Sequence, residues 1–373
     1  MAKINISLVG GQPMPIYVGL EGTTPDSLIL IHSSQSENDA RTIADICGYK
    51  TTLEKFSDVD YPQIEHQTQN LLERLSDNDI YVNISGGPKP WSIAFAKQTF
   101  QKANVTLFYI DQNNRFINLD ESKVIDLHLH LDIATILKYN HTIVSDFTLL
   151  NRYTEEDFQA LFELKEVRQK HPKDFFGLTN ITGWTSEKKG DIVIRKLLRG
   201  NSTLSIDKKG ETITFSGYDN RGRLYEYPIS SPHICKMALN ARWFELEVAN
   251  MISQWPSAIE VWTNVKFPYN DGKAKNEIDV LVSDGNKLLF IECKTQVFDA
   301  TDVDKFRTAT KNYGGTASKA LFVTNTKEMK PEVKQKCEDS KIMTFSLGDK
   351  SGKKTRDSLF YVLDKEMKNT NER

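Results

Sequence analysis

The chain has 373 residues and nearly balanced charge, 48 Lys and Arg against 50 Asp and Glu, so no overall basic footprint marks it as a nucleic-acid binder. Its 39% hydrophobic and 26% charged content, with no apolar run near 18 residues, excludes a membrane-spanning helix and a disordered chain. Four scattered cysteines (Cys47, Cys235, Cys293, Cys337) without CxxC pairing suggest neither a zinc ribbon nor a disulfide framework, which makes the cytoplasm the expected location.

The N-terminus, "MAKINISLVGG", reads directly as a strand and not as a signal peptide. Over the first 110 residues, short β-branched runs ("KINISLV", "SLILIHS", "DIYVNIS", "VTLFYID") alternate with segments of helical periodicity ("SENDARTIADICG", "YPQIEHQTQNLLERL"). This alternation predicts an α/β, Rossmann-like, doubly wound parallel sheet. "RFINL" and "KVIDLHLHL" read as strands added at its far end, with His128 and His130 alternating on the second, and "DIATILKYNH" as a helix leaving the domain. A first domain over 1–139 follows.

Residues 140–235 read as a connector of uncertain structure. It holds an amphipathic helix, "TEEDFQALFELKEVRQK", then hairpin strands around "STLSI", "ETITFSG" and "RLYEYPI". Over 236–373 the pattern is a helix ("ALNARWFELEVANMISQW"), three strands, a helix ("DVDKFRTATKNYG"), a strand ("KALFVTN"), and a further helix and strand, a mixed α/β domain. Trp243 and Phe244 read as packing residues of its first helix. "DKFRTATKN", "KEMKPEVKQK" and "GDKSGKKTR" make this third locally basic.

Two strands in this last unit break the rule that apolar runs carry no charge. "EIDVLVS" and "KLLFIECK", joined by the turn "DGN", contain Asp279, Glu292 and Lys294. A hairpin brings both acids to one sheet end, and Glu292 and Lys294, two apart, share a face while the Cys293 side chain turns into the core. Two carboxylates with a backbone carbonyl offer the hard oxygens that Mg²⁺ or Mn²⁺ prefers, so the metal set expected is Asp279, Glu292 and Cys293. A lysine beside them can orient a water or stabilise developing charge, and Glu245, upstream on the helix, could reach the metal through a water. The competing reading is a simple ion pair at a strand end.

The second informative stretch is "YVNISGGPKPWS", where an apolar strand runs into Gly86–Gly87, Lys89 and a helix. Glycines there let backbone N–H groups approach a phosphate, with the helix N-terminus adding to the attraction. "LVGGQPMP" and "IHSSQS", after the first two strands, end at the same edge, so three loops line one crevice.

"ARWFE", "NEIDVLV" and "LLFIECKT", followed by a helix and "KALFVTN", resemble the PD-(D/E)xK restriction-endonuclease-like nucleases, though Ala241 stands where glycine is common and Ile278 where proline is. "NISGGPKPWS" resembles the N-x-T-G-G-T-K loop of CARF domains, sensors of cyclic oligoadenylate, with Ser85 and Pro88 in place of threonines. Together they resemble the CRISPR-associated ancillary nucleases of the Card/Can type, a CARF sensor fused to a nuclease. The resemblance implies catalytic roles for Glu245, Asp279, Glu292 and Lys294. It implies that Gly10, Gln12, Met14, Ser33, Ser34, Gln35, Asn83, Ser85, Gly86, Gly87 and Lys89 contact the ring. The expectation is a homodimer gated by cyclic oligoadenylate, here cyclic tetra-adenylate, cleaving DNA or RNA with Mn²⁺ or Mg²⁺, and no membrane partner. An unsignalled restriction- or repair-type endonuclease and a DNA-binding regulator without catalysis are the alternatives.

Overall fold

The computed structural model describes residues 1–100, 102–175, 194–197, 202–207, 209–239, 242–269, 274–295, 299–315, 317–326, 329–348 and 353–367. The first sheet is built from β1 (Lys3–Leu8), β2 (Ser27–His32), β3 (Lys50–Lys55), β4 (Asp79–Asn83), β5 (Val105–Ile110), β6 (Phe116–Asn118) and β7 (Lys123–Ile125). Its order is β3-β2-β1-β4-β5-β6-β7; the first five are parallel and the last two antiparallel. Helices α1 (Met14–Thr23), α2 (Glu37–Ile46), α3 (Tyr61–Arg74) and α4 (Lys89–Thr99) connect the parallel strands. The chain reverses direction across the sheet between β1 and β4, and the loops following those two strands flank the opening where doubly wound sheets take ligands.

Two elements of this unit were not legible in the sequence, and one expected strand is shorter. β3 is the sheet edge, half-exposed and without an apolar run. α1 carries two glycines, a helix-weakening choice explained by contact. A Cβ on Gly19 would lie 2.7 Å from Asn83 Nδ2, and one on Gly22 would lie 2.8 Å from the Phe116 ring. "KVIDLHLHL" forms strand only over Lys123–Ile125; His128 takes φ 48°, a left-handed turn that ends the alternation.

Next come α5 (Ile133–Tyr139), β8 (Asp146–Leu149) and α6 (Glu155–Lys170), then an antiparallel sheet of order β12-β11-β10-β9. Its strands are β9 (Ile194–Leu197), β10 (Thr203–Ile206), β11 (Thr212–Tyr218) and β12 (Leu224–Ser230). The described parts of the helix read around "ARWFELE" are α7 (Ile234–Leu239) and α8 (Arg242–Ile252); Ala241 lies outside the described residues.

The C-terminal sheet contains β13 (Glu260–Pro268), β14 (Ala274–Ser283), β15 (Leu288–Lys294), β16 (Lys319–Thr324) and β17 (Met343–Ser346), with α9 (Ala300–Gly314), α10 (Pro331–Asp339) and α11 (Lys353–Met367). Its order is β17-β16-β15-β14-β13-β8, so β8, from the stretch read as connector, closes its edge. One face packs under α8 and α11 in a core shared with α6, α7 and the four-stranded sheet. The other face packs under α9 and, notably, under α5: Leu131, Ile133, Ile136 and Leu137 share a core with Trp262, Phe267 and Phe290.

Polar contacts reinforce this junction. The β14–β15 turn accepts Leu131 N–H at Gly285 O (3.0 Å) and the Asn114 amide at Asn286 O (3.0 Å), while Ser283 Oγ donates to Leu131 O. Beyond α5, Asn140 Nδ2 donates to Gly314 O (3.3 Å) and Thr142 Oγ1 to Tyr313 O (3.0 Å), both at the end of α9. No helix among the described residues is long and apolar enough to cross a membrane.

Candidate active site and ligand cleft

The "DGN" hairpin is present: β14 and β15 pair antiparallel from Ser283–Leu288 to Val280–Ile291. One step beyond that last rung the ladder stops at Asp279 and Glu292. The Asp279 side chain takes over its role, accepting the Cys293 N–H at Oδ2 (2.7 Å). The strands therefore part at the acids, as the sequence pattern demands of charges placed in apolar runs. Lys294 Nζ donates to Glu292 Oε1 (2.8 Å), so the pair expected on one face of β15 is formed.

The third acid arrives from α8, which packs across β13, β14 and β15. Glu245 sits in its first turn, and burial together with Glu277 and Glu292 pushes its carboxyl up to about 8 against the pull of Arg242 and Lys294. Burial, then the charges of Glu292 and Glu245, hold the Asp279 carboxyl well above the ordinary range. Burial also raises Glu292, although Lys294 opposes it. For Lys294, burial works to lower the ammonium but the acids, Glu292 foremost, outweigh it and keep it charged. The four residues singled out in the sequence thus act on one another electrostatically, with three carboxylates facing a single lysine.

That imbalance is the test of fit for a divalent cation. Carboxylates that raise one another's affinity for protons lack positive charge, and hard oxygens suit Mg²⁺ or Mn²⁺. Among the described residues no three His, Cys, Asp or Glu side chains form a ready-made metal cluster. The Cys293 thiol packs against the core beneath α8 and burial raises it well above its usual value, so it keeps its proton; any part it takes is through its backbone. Asp279 and Glu292 are the carboxylates that could hold such a cation.

A cleft of about 500 Å³ opens at the carboxyl edge of the first sheet, lined by Gly10, Ser33, Gln35 and Gly87 among the expected residues. Val9, Gly11, Ser36 and Pro88, in the three loops assigned to the crevice, line it too, as do Asp39, Asp58 and Val59, which were missed. Asp58 and Val59 follow β3, the strand the sequence did not show. The loops after β1 and β4 touch backbone to backbone: a Cβ on Gly10 would lie 2.6 Å from Gly87 N, and one on Gly86 would collide with Leu8 O. Gly87 adopts φ 72° with the Trp91 ring against it. The glycines are required by this contact whether or not a ligand is present.

Residues 4–137 match the family model for the Card1 CARF domain. The chain carries a CARF domain. No curated protein matches the sequence. Over 97% of its length the chain superimposes on protein VC1899 from Vibrio cholerae (98% of that chain, TM-score 0.72, 16% identity). It also superimposes on Can2 from Sulfobacillus thermosulfidooxidans in complex with cyclic tetra-adenylate (98% and 99% covered, TM-score 0.66, 17% identity). A type III CRISPR defence DNA nuclease activated by cyclic oligoadenylate aligns with all of this chain, which spans about half (52%) of that protein (TM-score 0.58, 11% identity). At these identities the likeness is one of fold.

Within the CARF domain the remaining expected residues divide by role. Asn83 is buried and committed to the fold, donating to Pro15 O (2.9 Å) and accepting Ser85 N–H and Oγ–H. Ser85 Oγ also accepts Ile110 N–H (2.7 Å), and Met14 packs among apolar neighbours at the start of α1. Lys89 opens α4, exposed beside the cleft. Gln12, Ser34 and Gly86 lie in the same loops without lining the cleft.

Proposed function

We propose that the protein is a metal-dependent nuclease gated by a cyclic oligoadenylate, cleaving DNA or RNA in type III CRISPR antiviral defence. The observation that carries the reading is the convergence of Glu245, Asp279, Glu292 and Lys294 at the split end of a hairpin, on a chain whose N-terminal domain is CARF. The likeness to Can2 and to a CRISPR nuclease supports it, since the first was solved with cyclic tetra-adenylate and the second is activated by cyclic oligoadenylate.

In this reading Asp279 and Glu292 hold Mg²⁺ or Mn²⁺, which when bound polarises a phosphoryl oxygen and acidifies water. Lys294, held by Glu292, faces the scissile phosphate to orient the attacking water and offset the charge that develops. Glu245, in the first turn of α8, would complete the anionic lining of the site. A homodimer suits a ring of repeated units bound on a twofold axis, with Gly10, Gln12, Met14, Ser33, Ser34, Gln35, Asn83, Ser85, Gly86, Gly87 and Lys89 as the sensor loops. The ring acts by binding the active arrangement more tightly than the resting one. The units of this reading are a sensor over 1–139, a connector over 140–235 and an effector over 236–373.

The test is to incubate the protein with Mn²⁺ and single-stranded DNA, supercoiled DNA or RNA, with and without cyclic tetra-adenylate, beside Glu292→Ala. Cleavage that requires the ring and disappears in the variant is expected. Cleavage without the ring would replace this reading with an unsignalled endonuclease, and cleavage by Glu292→Ala equal to wild type would remove the assigned site.

A further inference from the structure

The catalytic sheet holds an irregularity that the four named residues do not explain. Trp262 and Val265 on β13 lie in the same core, beneath α5 and α9, although residues three apart in a regular strand face opposite sides. The extra residue between them is Asn264, which takes φ 55° in mid-strand. Ile278 and Leu281 on β14 show the same step, again three apart in one core with Val280 in the other. The pairing stays in register across the irregularity, with Thr263 opposite Val280 and Val265 opposite Ile278, so Asn264 and Asp279 fall at the same step between those two rungs. Both strands thus kink together at the acid, and β13 also slips against β8 between Thr263 and Lys266.

The kink turns the Asn264 amide toward the α8 side. Its Nδ2 donates to Tyr153 OH (3.3 Å) and Thr263 Oγ1 (3.2 Å), and Tyr153 lies near enough to Glu245 and Arg242 for their charges to reach its phenol. Asn264 is 5% exposed, yet its Oδ1 meets no hydrogen-bond partner. An unsatisfied buried acceptor and a left-handed strand residue are each costly, and bulges that re-aim a side chain collect beside active sites. Thr263 and Tyr153 clamp one end of the amide, which leaves the other as a fixed, neutral oxygen at the step of Asp279.

We propose that Asn264 is a further residue of the nuclease site, its Oδ1 serving the divalent cation as an uncharged oxygen partner, directly or through one water. The inference rests on the nuclease reading. A neutral oxygen adds a ligand without enlarging the repulsion among three carboxylates, a role an acid at that place could not fill at the same cost. Asn264 is therefore assigned to cation affinity and not to the attack itself.

Mn²⁺ binding to the full-length protein, measured by titration calorimetry beside thermal melts, tests it. Asn264→Gly keeps a residue that accepts φ 55° and removes the oxygen; it is expected to weaken Mn²⁺ binding about tenfold or more with little change in melting. Asn264→Asp tolerates the same backbone and adds charge to the oxygen, and is expected to bind Mn²⁺ at least as tightly as wild type. If Asn264→Gly folds and binds Mn²⁺ like wild type while Asp279→Asn does not, Asn264 is a bulge residue only and the inference is overturned. Should the glycine variant fail to fold, weakened binding by Asn264→Asp overturns it. Absence of Mn²⁺ binding by the wild type, with Asp279→Asn no different, would remove the metal-dependent reading and this inference with it.

Discussion

At the scale of single residues, the site lowers stability in the absence of cations. Glu245, raised to about 8, binds its proton more tightly folded than unfolded, so over the window from about 4.5 to 8 the metal-free fold loses stability as pH rises. Glu245→Gln copies the protonated carboxyl and should stabilise the metal-free protein at pH 8 by about 1–3 kcal/mol, with less benefit at pH 5. Melts at the two pH values check it, and an unchanged or lowered melting temperature at pH 8 would count against it. Lys294→Met should cut the ring-stimulated cleavage rate by about a hundredfold while Mn²⁺ still binds, the signature of a group needed by the reaction more than by the cation. Asp279, Glu292 and Lys294 stood out because they interrupt apolar runs, where charge without purpose is costly, whereas Glu245 was drawn in as an acid on the helix ahead of those strands. Asn264 was not, since an asparagine flanked by "WT" and "VKF" has the look of an ordinary polar position, and only the backbone reveals the kink.

At the scale of elements, α6 shows how a well-signalled helix is fixed in place. Thr154 and Asp157 form a reciprocal capping box, and Asp157, fully buried, also accepts the N–H and Nδ1 of His233 ahead of α7 (3.2 and 3.0 Å). Burial works to raise the Asp157 carboxyl, but the bonds from Thr154 and His233 prevail and hold it below the ordinary value. Because the folded value is depressed, this stabilisation is full above the unfolded value near about 3.9 and is lost as pH falls through the folded one. Asp157→Ala should cost about 2–3 kcal/mol at pH 7, and the gap to wild type should close under strong acid; denaturant titrations at both pH values would decide. The sequence announced α6 through its "TEED" start and apolar spacing. β3 and α1 gave no such signal, because one is a polar sheet edge and the other gives up helix propensity to glycines that let it lie flat on the sheet. Missing β3 also hid Asp58 and Val59, the part of the cleft lining that follows that strand.

For the whole molecule, the path from the cleft of the first sheet to the acid cluster is short in contacts. Asp39 lines the CARF cleft and lies 3.6 Å from His141, just past α5. Neighbouring Asn140 and Thr142 hold the end of α9 at Gly314 and Tyr313, and Tyr313 OH accepts the Asn276 amide (2.6 Å) on β14, three residues before Asp279. Replacing both Asn140→Ala and Thr142→Val should leave ring affinity nearly unchanged but reduce ring-stimulated cleavage about two- to thirtyfold, the range of modest coupling energies. Equal stimulation in the double variant, measured at saturating ring, would show that the signal travels elsewhere.

The turn of the β14–β15 hairpin is gripped by Leu131 and Asn114, and α5 completes the core on that side of the sheet. A fragment starting at residue 140 would bare Trp262, Phe267 and Phe290 and set the hairpin turn loose. The N-terminal and C-terminal units therefore cannot be traded between proteins as separate beads on a string. A recombination that swaps the front half for another must bring a matching α5 and a turn that fits it.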